Sequence, residues 1–435
     1  MGDPVIVVGG GLAGLSCAEA LARAGLPVRV LDAGGELGGR AGTTEHGNFL
    51  LNEGAHALYP SCERLLSAAG VSLTGGHPRP DKGMVLRGGE LVPSPLSPRG
   101  VIAGGVLSGA DRAHLLGTLA SVGARDPGRL AGTDAASWIA GRARSPALAE
   151  LLGGLLRLST YCGELSALPA EIGVGMLREA LRRPVRYIDG GWREIVAGLA
   201  ASARAGGAEV TPRSRVDGLI AEQRVTGVRL TDGSEQRASA VVLAGLSPTR
   251  SGRLLSAAGG GTRAAGGEPR PVRAACLDVA LSELPRPGCP FVLGLDEPLY
   301  LSVHSQWSRL APEGGAVVQL LRYEDGNALG DVAVRERLEA VLDQAQPGWR
   351  DRVIHERFAP RMTVVHHLPS PEEGLRARPA VDDTGIAGVF LAGDWIGPVG
   401  WLAAAPLISG RRAALAVQGE IRAGRPGDPA AAPLR

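Results

Sequence analysis

Three glycines, Gly9, Gly11 and Gly14, stand in G-x-G-x-x-G register, and an acid, Asp32, follows at the end of the next apolar run. Residues of these types in this order can hold the diphosphate and ribose of a dinucleotide. Gly9 allows a tight turn, Gly11 lets the backbone approach the diphosphate without a Cβ in the way, and Gly14 lets the next helix pack closely on its sheet. Leu12 and Ala13 open that helix, whose first N–H groups and dipole favour phosphate. Asp32, followed by Ala33, can accept hydrogen bonds from ribose hydroxyls, and its charge disfavours a 2′-phosphate. A second glycine loop ends in Gly38-Gly39-Arg40. It is placed either to add phosphate contacts or to form a plain turn with a solvated arginine. Near the end of the chain Gly393-Asp394 follows another apolar run.

These groups need elements to hold them. Val5 to Val8 suits a strand buried on both faces, and Leu12, Leu15, Ala18 and Ala22 recur at helical spacing. Gly25-Leu26-Pro27 stops that helix, and a second strand, Val28 to Leu31, delivers Asp32. With 65 glycines in 435 residues a bare glycine motif carries little weight; strand, helix, strand and acid in sequence carry much more. Residues 76–100 are rich in Pro and Gly around a hairpin-like MVLRGGELV and read as the exit from the nucleotide domain. From 101 to 185 the pattern is mainly helical and poor in charge, suiting a lid, and Val101, Ile102, Val106 and Leu107 could meet a membrane surface. An amphipathic helix with Trp192, Ile195, Val196 and Leu199 precedes strands near 208–211, 215–220 and 225–230 and a buried strand, VVLAG. Residues 251–270 read as a loop, 271–330 as strands, 331–346 as a helix and 352–358 as a strand. His366-His367 suggest a metal, but no third ligand stands at a useful spacing, so no metal is expected.

Composition narrows the class. The chain is long enough for two domains, and 44% hydrophobic and 21% charged residues describe a globular protein. A net charge of +2 points to no nucleic-acid partner. Lys82 is the single lysine, so a lysine base or Schiff base has one source. Five scattered cysteines, never in C-x-x-C spacing, imply reduced thiols and a cytoplasmic setting. Four residues ahead of Val5 leave no room for a signal peptide, and no apolar run reaches about 18 residues, so no transmembrane span is expected. Peripheral membrane contact stays open.

The glycine motif, the G-G-R segment and the Ala-Gly-Asp near the end together resemble the flavin amine oxidase and phytoene desaturase superfamily of FAD-dependent oxidoreductases. The resemblance implies an α/β fold: a Rossmann-type, glutathione-reductase-like FAD-binding domain interleaved with an α+β substrate domain. The FAD-binding parts would be 1–75, 186–260 and 381–422, the helical lid 76–185, the substrate sheet 261–380, and 423–435 a flexible tail. The first motif and Gly38, Gly39 and Arg40 would hold the diphosphate, with Val216 at the adenine. Gly54, Ala55 and His56 would lie near the flavin ring; His56 is either an acid or base there or a packing residue. Asp394 would hold the ribityl or diphosphate, and the turn Trp401, Leu402 and Ala403 would face the pyrimidine. Trp395 and Trp401 flank that turn as pocket walls or as core. The chain departs from the family with Leu402-Ala403-Ala404-Ala405-Pro406 where Met-Glu-Gly-Ala is common, and with Asp32 where glutamate is more frequent.

The resemblance implies hydride transfer from a small apolar or natural-product substrate to flavin N5, in a desaturase, dehydrogenase or oxidase. No second glycine motif follows a strand, which argues against a separate NAD(P)H domain. Many amine oxidases of the superfamily place a lysine late in the substrate domain, and Lys82 lies far from that region. The alternatives are a flavin amine oxidase, an FAD monooxygenase, or a non-enzymatic protein like the Rab escort and GDP-dissociation-inhibitor proteins.

Overall fold

The computed structural model describes residues 2–79, 83–96, 105–262, 268–327 and 329–423. Its first layer is a five-stranded parallel sheet in the order Val389–Ala392, Ala240–Ala244, Val5–Val8, Val28–Leu31, Glu209–Thr211. Alternation along each strand builds the sandwich. Val5 and Val7 face a layer of helices, Leu12–Arg23, Arg193–Ala205 and Ala404–Ala423, through Cys17, Leu21, Ala203 and Val417. Ile6 and Val8 face the other way, onto Val216, Val228 and Leu230 of a three-stranded antiparallel sheet, Val216–Ala221, Val225–Leu230 and Glu235–Arg237. Val5–Val8 is therefore apolar throughout because both its faces are covered.

Helix Pro248–Ala257 also lies on that second face, where a loop is expected from the sequence. Ser247 caps it by accepting from the Arg250 N–H, Pro248 sits in its first turn, and Leu254 and Leu255 are buried. The Gly/Ala/Arg bias obscured a short helix that its cap and two leucines define.

A seven-stranded sheet forms the second body, in the order Val353–Val365, Val272–Leu281, Ala316–Tyr323, Leu299–Val303, Phe291–Gly294, Met84–Arg87, Glu90–Pro93. The hairpin Met84–Pro93 is its edge rather than an exit from the nucleotide-binding layer, pairing in parallel with Phe291–Gly294. Helix Asp331–Ala345 covers one face with Val334, Leu338 and Leu342. The other face, through Cys276, Tyr300 and Tyr323, shares one core with helices Gly109–Ala124, Ala135–Ala140, Pro146–Thr160 and Ala170–Arg182. Ser108, Asp134 and Ser145 cap the first three of these. Leu107, a candidate for membrane contact by sequence, is buried in this core, while Val101 and Ile102 lie outside the described residues. No helix among the described residues is long and apolar enough to cross a membrane.

Candidate active site

The parallel strands end together. Beyond their carboxyl ends lie Gly9, Asp32, Ala244 and Asp394, all in the wall of one cavity of about 1310 Å3, its open mouth included.

Each glycine of the first motif has its own reason. Gly9 adopts φ +111°, and a Cβ there would lie 2.1 Å from the Ala244 carbonyl oxygen. A Cβ on Gly14 would lie 1.8 Å from the Gly9 oxygen, because the helix sits directly on the strand. Gly11 differs: its backbone is extended, and a Cβ would meet only the Gly38 oxygen at an ordinary 3.5 Å. Nothing in the chain requires glycine at position 11, whereas a diphosphate approaching the backbone in the cavity would. The two glycine loops are joined, with the Gly38 N–H donating to the Gly10 oxygen at 2.9 Å. Asp32 ties them further, accepting from the N–H groups of Gly10 and Gly34 at 2.6 Å each.

Arg40 and Asp394 meet across the cavity wall although 354 positions separate them. Arg40 Nη1 donates to Asp394 Oδ2 at 2.7 Å and to the Val364 oxygen at 2.8 Å. His366 completes the group: its backbone N–H donates to Asp394 Oδ2 at 3.0 Å, and its Nδ1 lies 2.9 Å from Oδ1. Burial would raise the Asp394 pKa, but the Arg40 charge and the His366 bonds outweigh it and hold the carboxyl far below the usual range. His366 is thus drawn to a carboxylate, and His367 accepts from the Arg270 N–H at 3.2 Å. Among the described residues no group of three or more His, Cys, Asp or Glu could hold a metal ion. All five cysteines are free and buried.

At the far end, His56 Nδ1 lies 2.6 Å from the Gly54 carbonyl oxygen, which can only accept. The proton therefore sits on Nδ1. The ring rests against Trp192, centroids 4.4 Å apart, and burial lowers its pKa to about 4. His56 is thus a neutral ring at physiological pH, with its proton on Nδ1. Replacing His56 with Asn is accordingly expected to leave the pH dependence of flavin reduction unchanged between pH 6 and 8, as stopped-flow absorbance would measure. A lost limb near pH 6.5 would show that this histidine titrates in that range.

Of the residues expected at the site, Gly11, Leu12, Ala13, Gly38, Gly39 and Ala55 also line the cavity, as do Trp401, Leu402 and Ala403. Helix Ala404–Ala423 thus begins in the wall, after Gly400 at φ +91°, where a Cβ would crowd Ala405. Gly14, Ala33, Gly54, Gly393, Val216 and Trp395 do not line it. Trp395 is withdrawn as a catalytic candidate: its indole is buried against the second face of the parallel sheet and donates to the Leu246 oxygen at 2.8 Å. Val216 lies in the same core; its neighbour Ser214 donates its N–H to the Asp32 carbonyl. Gly393 is held through its N–H and C=O by the Ser409 hydroxyl, 2.9 Å from each.

Other lining residues were not singled out from the sequence. Ala244-Gly245-Leu246 follow a buried parallel strand, and that position alone marks them. Tyr59, Cys62, Tyr161 and Met176 come from helices and their ends, with no motif to reveal them. Trp192 lines the cavity with its Nε1 buried and lacking a partner, a donor free for a ligand. Open backbone at Gly11, two helix starts, and an orphaned donor fit a large anionic dinucleotide such as FAD.

The sequence model of the flavin containing amine oxidoreductase family matches residues 12–267, more than half of the chain. No curated protein matches it in sequence. In solved structures the fold recurs in an oxidoreductase from Methanosarcina mazei, at TM-score 0.75 and 18% identity over 95% of this chain and 99% of that one. It recurs in a candidate protoporphyrinogen oxidase from Exiguobacterium sp. 255-15, at TM-score 0.69 and 17% identity over 97% and 99%. Cyclohexylamine oxidase from Brevibacterium oxydans IH-35A shares it at TM-score 0.65 and 16% identity over 97% and 99%. The chain belongs to the flavin containing amine oxidoreductase family and is an FAD-dependent oxidoreductase.

Proposed function

We propose that the enzyme removes a hydride from an apolar substrate, such as a natural product, in a desaturase, dehydrogenase or oxidase reaction. The observation that carries this is the state of the acids in the cavity wall. Asp32 is bonded to two backbone N–H groups, Glu53 to Thr44 and Arg357, and Asp394 to Arg40 and His366. Each already has partners within the chain, which weakens it as the counter-ion of an ammonium group. The remaining surface, Tyr59, Cys62, Tyr161, Met176 and Met362, suits a hydrocarbon body.

In this reading the glycine loops, with Arg40, hold the diphosphate, Asp32 reaches the ribose, and the backbone near Val216 borders the adenine. Ala55 and His56 would stand near the flavin ring. The start of helix Ala404–Ala423 would offer its N–H groups to the pyrimidine, with Leu402 and Ala403 serving through backbone. Bound FAD supplies the hydride acceptor; the chain positions it, excludes water with apolar and aromatic walls, and orients the substrate's C–H bond. The glutathione-reductase-like arrangement and the division into three FAD-binding segments, a lid and a substrate sheet belong to the same reading. Buried free thiols support a reducing compartment.

Amine oxidation is the second reading, favoured by the aromatic wall of Tyr59, Tyr161 and Trp192, which a cation could meet face-on. Anaerobic flavin bleaching separates them. Terpenoid hydrocarbons are expected to bleach the flavin's visible absorption band, with amines and amino acids leaving it intact. Bleaching by amines alone would overturn the apolar reading.

A further inference from the structure

Directly behind the wall that Trp401 contributes lies a cation with no charge of its own to answer it. Arg378 is 4% exposed. Its Nη1 donates to the Gly400 oxygen at 3.0 Å, and its guanidinium carbon lies 5.3 Å from the Trp401 ring centroid. Nε and Nη2 are buried and have no acceptor. The acid whose field reaches this arginine is Asp394, already bonded to Arg40 and His366. Two guanidinium groups therefore share one carboxylate. His367, a titratable group beside Arg378, has its pKa lowered by burial and by Arg378 itself, and an imidazole supplies no negative charge in either state. Burial pulls Arg378 down to about 10, which leaves it protonated at neutral pH.

An uncompensated buried charge is costly, and unsatisfied donors on it add to the cost. Proteins keep such groups where a charge arrives during function. Here one does: hydride transfer adds two electrons and one proton to FAD, leaving the reduced flavin with a single negative charge. The charge falls on the pyrimidine side, the side the proposed reading turns toward Trp401, Leu402 and Ala403.

We propose that Arg378 is a positioning residue that sets the reduction potential of the bound FAD, its fixed positive charge acting through the Trp401 wall to favour the reduced anionic flavin. The bond to Gly400 and the stacking on Trp401 hold that charge against the turn from which helix Ala404–Ala423 starts. Trp401 in turn donates through Nε1 to the Thr160 oxygen at 3.0 Å, so lid and turn are fixed together. The proposal rests on FAD occupying this cavity, and on no particular substrate.

The test uses purified FAD-loaded protein reduced with dithionite or through a reference dye, so that failure of the apolar-substrate reading does not touch it. Arg378→Met is expected to shift the two-electron equilibrium with the dye at least tenfold toward oxidised flavin, about 30 mV. Arg378→Lys, which keeps the charge but changes the fork, is expected to recover most of that shift. The reduced wild-type enzyme is also expected to keep its anionic spectrum from pH 8 down to pH 5. Equal potentials in Met variant and wild type, or equal losses in Met and Lys variants, would overturn the proposal. If the Met variant holds no FAD, the wild-type titration decides, and proton uptake by the reduced flavin within that range would overturn it.

Discussion

Gly11→Val is expected to give a folded protein that is colourless, and Gly14→Val a protein that does not fold. The two glycines belong to one motif, but only the second is demanded by the chain itself. At Gly14 a Cβ would fall 1.8 Å from the Gly9 oxygen and 3.2 Å from a Val7 methyl. Relief requires lifting helix Leu12–Arg23 off the strand beneath it, and with it Cys17, Ala18 and Leu21 from the core. At Gly11 the nearest atom beyond the adjoining residues is 3.5 Å from an added Cβ and the backbone is extended, so a side chain can start there without a clash. What it obstructs is the approach of phosphate oxygens to the backbone N–H groups at the helix start. Losing two hydrogen bonds to charged oxygens at roughly 1.5 kcal/mol each costs on the order of a hundredfold in affinity. The FAD content of purified protein, with circular dichroism and an unfolding midpoint on the same samples, checks both. A yellow Gly11→Val protein would remove the diphosphate from this loop.

That contrast shows where the sequence was legible. The βαβ unit could be read because strand, turn, helix and acid are contiguous, and each part constrains the next through local geometry. The strand Ala240–Ala244 and the Gly393-Asp394 turn could be read for the same reason. The Arg40–Asp394–His366 group could not be assembled from sequence, because its members lie on three segments that only the parallel sheet and strand Val353–Val365 bring together. His366-His367 drew attention as a metal pair, when the first is a carboxylate's partner and the second bonds backbone. Trp395 and Trp401 flank one turn, yet one indole lies in the core beneath the sheet and the other in the cavity wall. Periodicity fails in such a turn, so side-chain direction is set by Gly397 and Gly400 at positive φ and by Arg378, none of them a motif. The lining tyrosines are equally silent: Tyr161 ends a helix at φ +62°, a place nothing in its neighbours announces.

The second large effect concerns the joint between the seven-stranded sheet and the segment Asn52-Glu53. Arg357→Met is expected to destabilise the protein by about 3–5 kcal/mol at neutral pH, the usual cost of leaving one member of a buried ion pair alone. Arg357 sits opposite Asp278 in the seven-stranded sheet, and its Nη2 lies 2.7 Å from Asp278 Oδ2. The same guanidinium donates to Glu53 at 2.8 Å and to the Asn52 carbonyl, just ahead of the Gly54-Ala55-His56 turn. Asp278 is 1% exposed; without Arg357 its carboxylate keeps only Gln319 Nε2 at 2.8 Å and the Cys276 thiol at 3.2 Å. Burial already raises the Asp278 pKa, with Arg357 pulling it back. Because the folded value is above the unfolded one, the unfolded chain loses its proton first as pH rises. Stability from this group is therefore greatest in acid and declines as pH climbs through the folded pKa. Removing Arg357 takes away the charge that pulls that pKa back, so the variant is expected to regain part of its loss on acidification, with about pH 7.5 and about pH 5 as the two conditions. Urea midpoints at both values measure it. Adding Asp278→Asn is expected to recover most of the loss at the higher pH, since no buried charge then remains unpaired. If the double variant were no more stable than Arg357→Met, the destabilisation would lie in the lost bonds to Asn52 and Glu53, and the turn carrying His56, rather than the sheet, would be what Arg357 secures.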